Sequence, residues 1–112
     1  MDISTIAFEL IAEAGEAKSF ALSAINMAKE GKVEEAHAIL SNCDESLCRA
    51  HAIQKKLIVS DMEGDAINIS LIMVHAQDHL ASAILVRELS EILINQYYRI
   101  QKLEKGGGCD LE

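Results

Sequence analysis

The sequence predicts an all-α protein, folded as one antiparallel up-down-up bundle of three helices. Three observations carry this. Proline is absent from all 112 residues. Half of the residues are apolar, yet aromatics make up only 4% and tryptophan is missing, so the core must be aliphatic. Finally, apolar residues recur three and four positions apart through three long segments, interrupted by short breaks at Gly31 and Gly64. The length allows one domain, with residues 1–105 as the bundle and 106–112 as a flexible glycine-rich tail.

The first helix is expected to start at Asp2 or Ser4, either of which can cap freed backbone amides. Ile6, Leu10, Ala14, Ala17, Ala21, Ala24, Ile25 and Ala28 then hold helical spacing, and Phe8, Ile11 and Phe20 widen the apolar surface. Gly15 costs about 1 kcal/mol relative to alanine inside a helix. It marks either a tight helix crossing or space kept free beside a reactive group. Gly31 is placed to end the helix in the left-handed capping conformation.

The second helix opens at Lys32, Val33, Glu34 and Glu35, with an apolar stripe that includes Ala36, Leu40, Cys43, Leu47, Ala50 and Leu57. Its acidic residues gather early and its basic ones late, which suits the helix dipole. His37 and His51 lie on this helix without a carboxylate-and-amide cluster around them and read as ordinary surface or rim histidines. Residues 60–65 read as the second loop. The third helix is expected from about Ala66 to Lys105, stopped by Gly106, Gly107 and Gly108. At about 1.5 Å per residue it would outreach the other two by roughly 20 Å.

The formal charge of −8 argues against a nucleic-acid partner and against an anionic membrane surface. No apolar run reaches the roughly 18–20 residues of a membrane span, and no secretory leader is expected. The three cysteines form no Cys-x-x-Cys pair and fit free thiols in a reducing cytoplasm.

Chemistry concentrates in residues 70–85, an apolar segment with two histidines, an aspartate and a glutamine at its centre. On a helix, Leu71, His75, Asp78, His79 and Ser82 share about a third of the circumference, and Gln77 points roughly opposite His75. The polar group is therefore expected on the stripe a helix normally buries, where each member needs a partner. Three readings fit: a satisfied core histidine beside a carboxylate; a metal site using His75, Asp78 and His79; or a reactive His75 oriented by its neighbours.

The run Val74-His75-Ala76-Gln77-Asp78-His79-Leu80 resembles the signature of the enzyme IIA components of the lactose/cellobiose class, from the phosphoenolpyruvate-dependent sugar phosphotransferase system. Residues 69–89 fit that family's last helix. Phe8-Glu9-Leu10-Ile11 with Ala14-Gly15-Glu16-Ala17-Lys18-Ser19 fits its first. Ala81 departs from the pattern, which often has a larger residue such as Met there.

The resemblance implies a cytoplasmic phosphoryl carrier. His75 would accept phosphate on Nε2 (tele-phosphohistidine) from the histidine-containing phosphocarrier protein. It would pass the group to a cysteine of the cognate IIB component during uptake of a lactose-, cellobiose- or chitobiose-type disaccharide. His79, one turn on, is the nearest candidate donor to the phosphoryl oxygens, and Gln77 could assist only if a neighbouring subunit brings it round. The acceptor that would hold the second nitrogen of His75 is left open between a backbone carbonyl and a carboxylate. The absence of a GxxxxGK[ST] loop argues against direct use of ATP.

The resemblance also implies a homotrimer with one divalent cation, Mg2+ being the natural choice for carboxylate oxygens, shared by three copies of Asp78 on the axis. Surplus apolar residues on the third helix, Leu71, Val74, Leu85, Leu89, Ile92 and Leu93, independently suggest that subunits associate. The alternative from another class is a structural or metal-binding bundle with His75, Asp78 and His79 as ligands.

Overall fold

The structure is a computed structural model that describes residues 2–64 and 69–110, with side chains as far as residue 106. It contains α1 (Ile3–Lys29), α2 (Val33–Met62) and α3 (Leu71–Asp110), and no strand among the described residues. The bundle measures 70 × 20 × 19 Å, the long axis being set by α3.

The helix ends follow local chemistry. Asp2 caps α1: its carboxylate accepts from the amides of Ser4 (3.1 Å) and Thr5 (3.5 Å) and from the Thr5 hydroxyl (2.7 Å). The Thr5 hydroxyl, then its amide, hold this carboxyl below its ordinary range. At the other end Gly31 has φ +85°. Lys32 N–H donates to Met27 O (2.9 Å) and Gly31 N–H to Ala28 O (2.9 Å), which makes a Schellman closure. Lys32 precedes α2 without a side-chain capping bond, and Glu34 and Glu35 occupy the first turn.

Three boundaries differ from the sequence expectation. The helix α2 runs on through Ser60 and Asp61 to Met62, because Ser60 sits one turn after Leu57 on the buried stripe; Gly64, at φ +93°, provides the break instead. The third helix starts at Leu71, not Ala66, and the Ser70 hydroxyl accepts from Met73 N–H (3.3 Å) as its cap. Residues 65–68, including that expected start, lie outside the described residues. At the far end α3 continues through Gly106, Gly107 and Gly108 to Asp110. Glycine weakens a helix but does not forbid its backbone angles. Leu111 and Glu112 lie outside the described residues.

The helix α1 is the central element. It packs along its length against both α2 and α3, whereas α2 and α3 barely touch. The reason is its face of small residues. Ala7, Ala14, Ala17, Ala21, Ala24 and Ala28 are all buried, with Leu10 as the one large side chain among them. Alanine presents no bulk, so two helix backbones can approach the same stripe. The opposing residues are a mixture of small and medium size: Ala36, Leu40, Cys43 and Ala50 from α2, and Met73, Ala76, Leu80, Ala83 and Ile94 from α3.

Polar groups within this core are satisfied. The buried Ser90 hydroxyl donates to Val86 O (2.6 Å), and Ala21 O lies 3.4 Å away. Cys43 is buried, which pushes its thiol up, whereas Cys48 is exposed; their divergence matches their five-residue spacing. Arg87 ties α3 to α2 through Asp44 (2.7 and 3.1 Å) and braces its own helix through Glu91 (2.9 Å). Arg49 ties α2 to α1 through Glu13 (2.9 Å). These exposed pairs fix register more than they add stability.

Gly15 does not mark a tight crossing within the chain, because a Cβ built there meets nothing within 4 Å. Gly31 is the opposite case. A Cβ there would lie 3.2 Å from Gln101 Nε2, which donates to Gly31 O at 3.1 Å and fastens the first loop to α3. Gly31→Ala should therefore lower unfolding free energy by about 1–2 kcal/mol, and Gly15→Ala should raise it by up to about 1 kcal/mol. Urea denaturation at matched protein concentration reads both signs.

Candidate functional site

The site lies on the first turns of α3. The stripe that α3 buries within the chain is Met73, Ala76, Leu80, Ala83, Ser90 and Ile94. The polar group therefore faces outward, contrary to the expectation that it would occupy the buried stripe. His75 and Asp78 are exposed, while His79 and Ser82 are partly buried. Both stripes satisfy helical periodicity, so spacing alone does not choose between them. Packing does: the alternative stripe is apolar at the turns that meet α1's alanine face, and no charge has to be desolvated to bury it.

On the outward face the two histidines form a pair. His79 Nε2 lies 3.1 Å from His75 Nε2, and the rings meet edge to face with centroids 4.5 Å apart and planes at 88°. One nitrogen must carry the proton and the other the lone pair. With His79 donating, His75 presents a neutral imidazole whose proton sits on Nδ1 and whose Nε2 is basic. Among the described residues, nothing accepts a bond from His75 Nδ1, and Asp78 has neither hydrogen bond nor ion pair. Leu71 and Ile72 line an open apolar recess beside His75.

Gln77 has a different place. Its amide makes reciprocal bonds with that of Gln54 on α2, Gln54 Nε2 to Gln77 Oε1 at 2.7 Å and Gln77 Nε2 to Gln54 Oε1 at 2.8 Å. A third contact runs from Gln77 Nε2 to Met73 Sδ at 3.7 Å. Gln77 thus points away from His75, as its spacing predicts, and its amide is occupied in joining two helices that otherwise barely meet. Sequence reasoning missed Gln54. A polar residue beside Ile53, one turn before Leu57 on the buried stripe, was the available signal.

Among the described residues no three His, Cys, Asp or Glu side chains gather as a metal site. The reading of His75, Asp78 and His79 as a ligand set within one chain is therefore not supported. His79 turns its Nε2 onto His75, and Asp78 faces solvent with no second donor beside it. His37 and His51 are exposed, as expected. No helix among the described residues is long and apolar enough to cross a membrane.

The described residues thus form a small three-helix bundle that presents one accessible histidine pair. Residues 5–98 match the family described as PTS system, lactose/cellobiose specific IIA subunit, and the chain belongs to that family. It is a phosphotransferase component of the sugar phosphotransferase system. The chain is 39% identical over 103 residues to the galactose-specific EIIA component of Lactococcus lactis subsp. cremoris, covering 92% of this chain and 89% of that protein. Its fold is similar to the crystal structure of the cellobiose-specific enzyme IIA from Bacillus anthracis (TM-score 0.89, 38% identity, 91% of this chain and 94% of that one). It is also similar to the IIA(chitobiose) chain solved in complex with HPr, from the N,N'-diacetylchitobiose branch of the Escherichia coli phosphotransferase system (TM-score 0.76, 35% identity, 90% and 98% covered).

The Gln54–Gln77 pair makes a clear energetic prediction. Gln54→Ala strands a half-buried amide and should cost about 1 kcal/mol, while adding Gln77→Ala should cost little more. A double-mutant cycle by urea denaturation that gave simple additivity would remove the pair as a helix tie.

Proposed function

We propose that His75 is the phosphorylated residue of this IIA component. It would take the phosphoryl group from the histidine-containing phosphocarrier protein HPr and hand it to a cysteine of a IIB component in disaccharide uptake, in the cytoplasm. The observation that carries this reading is the exposed His75–His79 pair at 3.1 Å, bordered by an apolar rim. The E. coli relative solved with HPr supports the choice of donor.

In the reading proposed, the Nε2 lone pair of His75 attacks phosphorus in line with the nitrogen of the donor phosphohistidine. A new N–P bond forms as the donor's N–P bond breaks, and the donor imidazole departs with that electron pair. The protein's contribution is placement and charge stabilisation, because the transition state is loose. His79 has two successive tasks. Before transfer its Nε2–H occupies the His75 lone pair, which fixes ring angle and tautomer. As phosphorus approaches, that N–H swings a short way to a phosphoryl oxygen, where negative charge accumulates. In the second step a IIB thiolate attacks the same phosphorus, and His75 leaves as a neutral imidazole. The occupied amide of Gln77 leaves it a supporting role through helix position only.

The reading extends to assembly. Phe8 (62%), Leu71 (86%), Leu85 (55%), Leu89 (46%) and Ile92 (56%) are more exposed than a lone bundle tolerates. On α3 the outward stripe Leu71, His75, Asp78, Ser82, Leu85, Leu89 and Ile92, exposed except for the partly buried Ser82, alternates steps of four and three, the seam of a parallel coiled coil. We infer a homotrimer along this seam. Three Asp78 carboxylates then meet at the axis, where their repulsion calls for a cation. The donor set, carboxylate oxygens alone, fits a hard ion such as Mg2+, which would act structurally by neutralising that layer.

Incubation with phosphoenolpyruvate, the first enzyme of the system and HPr should add an acid-labile mass of about 80 Da. His75→Ala should abolish it; full labelling of that variant would reject the assignment. His79→Ala should slow labelling by roughly 100-fold. Asp78→Asn should keep the trimer in the presence of a chelator that loosens the wild type, and sedimentation as a monomer would argue against the axial placement.

A further inference from the structure

The seam does not stop at Ile92. Four and seven residues further on it carries Gln96 and Arg99, followed by Leu103. Arg99 stands 21 residues, three heptads, after Asp78 and so takes the same heptad position on the seam. Both Gln96 and Arg99 are exposed, and Arg99 has no hydrogen bond or ion pair among the described residues. Arg49 and Arg87, in contrast, are each tied to carboxylates. An arginine that follows the apolar stretch Leu85, Leu89 and Ile92 on the seam needs a counter-charge, and the neighbouring positions of α3 supply none. Leu93, Asn95, Ile100 and Lys102 flank it on the two sides of the seam. Lys102 adds positive charge, held over the Tyr98 ring at 4.9 Å. Glu91 is bound to Arg87 (2.9 Å), and Glu104 falls off the seam, towards the face that carries Ile94 and Gln101.

We propose that Gln96 and Arg99 form an anion-binding layer on the three-fold axis, a site for a tetrahedral oxyanion of the phosphate or sulfate type. This rests on the trimer reading above. Three guanidinium groups converge there as the three Asp78 carboxylates converge higher up, and like charges at an axis require a counter-ion of opposite sign. An oxyanion suits the geometry better than a halide, because each planar guanidinium fork matches an oxygen pair. The Gln96 amides, one turn before, supply further donors with no charge of their own. The α3 seam thus holds two charged layers of opposite sign, separated by the apolar Leu85, Leu89 and Ile92. Each is unsatisfied in one chain and completed in three.

The test is thermal melting of the full chain at constant ionic strength, with chloride replaced stepwise by sulfate to 20 mM, while sedimentation velocity follows the assembly state. Wild-type protein should gain about 3–5 °C. Arg99→Gln should gain under about 1 °C, the small general effect of an excluded salt. In chloride alone the variant should melt at or above the wild type, since it lacks the repulsion. A trimer whose wild-type and Arg99→Gln forms respond equally to sulfate would overturn the anion layer and leave the assembly intact. Equal stabilisation by chloride would overturn the oxyanion class. Sedimentation as a monomer in every buffer would overturn the trimer, and this layer with it.

Discussion

The alanine face of α1 is the constraint from which the rest of the molecule follows. Six alanines buried to within 2% exposure allow a single helix to be gripped from two sides. Because α1 serves both neighbours, α2 and α3 have little reason to meet, and their main polar link near the site is the Gln54–Gln77 amide pair. The consequence for α3 is rotational. It must turn Met73, Ala76, Leu80 and Ala83 inward to match small residues, and that rotation turns His75 and Asp78 outward. The position of the His75 imidazole is thus decided by the packing of residues on the opposite face of its helix.

In the relay proposed above, the rotation would also account for how the histidine pair works. A histidine sealed among alanines would be desolvated and out of a partner's reach; a fully free one would sample many ring angles. His75 lies between these limits. Its ring is exposed, but the contact with His79, itself partly buried, restrains it on one side. The restraint costs little to release, since a neutral hydrogen bond at a surface contributes about 1 kcal/mol. A carrier that must accept and surrender the same group gains from a restraint of that size: firm enough to orient, weak enough to yield.

Much of the fold was legible because its signals are local. Asp2 before Ser4 and Thr5, the Gly31 closure, and alanines at steps of three and four each name their structure directly. The boundaries that were misplaced depend on tertiary context. Ser60 reads as loop chemistry until Leu57 places it on a buried stripe, and Ser70 reads as the interior of a helix until its hydroxyl is seen to take the Met73 amide. The site was legible in its members and not in its orientation. Two stripes with the same period run along α3, and periodicity fixes their angular separation without saying which faces in. Gln54 was missed for a related reason, since only the approach of α2 to α3 gives it a partner.

The outward stripe of α3 has a property that a solvent-facing surface does not require. Solvent would favour charges spread among lysine and glutamate, as on the wet side of α2. The stripe instead places leucine and isoleucine between isolated polar residues, Asp78 near one end and Arg99 near the other. Such alternation is costly in water, because the apolar members lose by exposure, and costly in an ordinary core, because the charges lose by burial. It becomes economical in one environment, a seam between like helices where apolar layers exclude water and each charged layer collects a counter-ion. In the trimer proposed above, three single charges, each too few to hold an ion, would become one site. In that proposed assembly the ion layers would set the register of α3 against its copies, and register in turn would fix how each His75 is presented to an approaching partner.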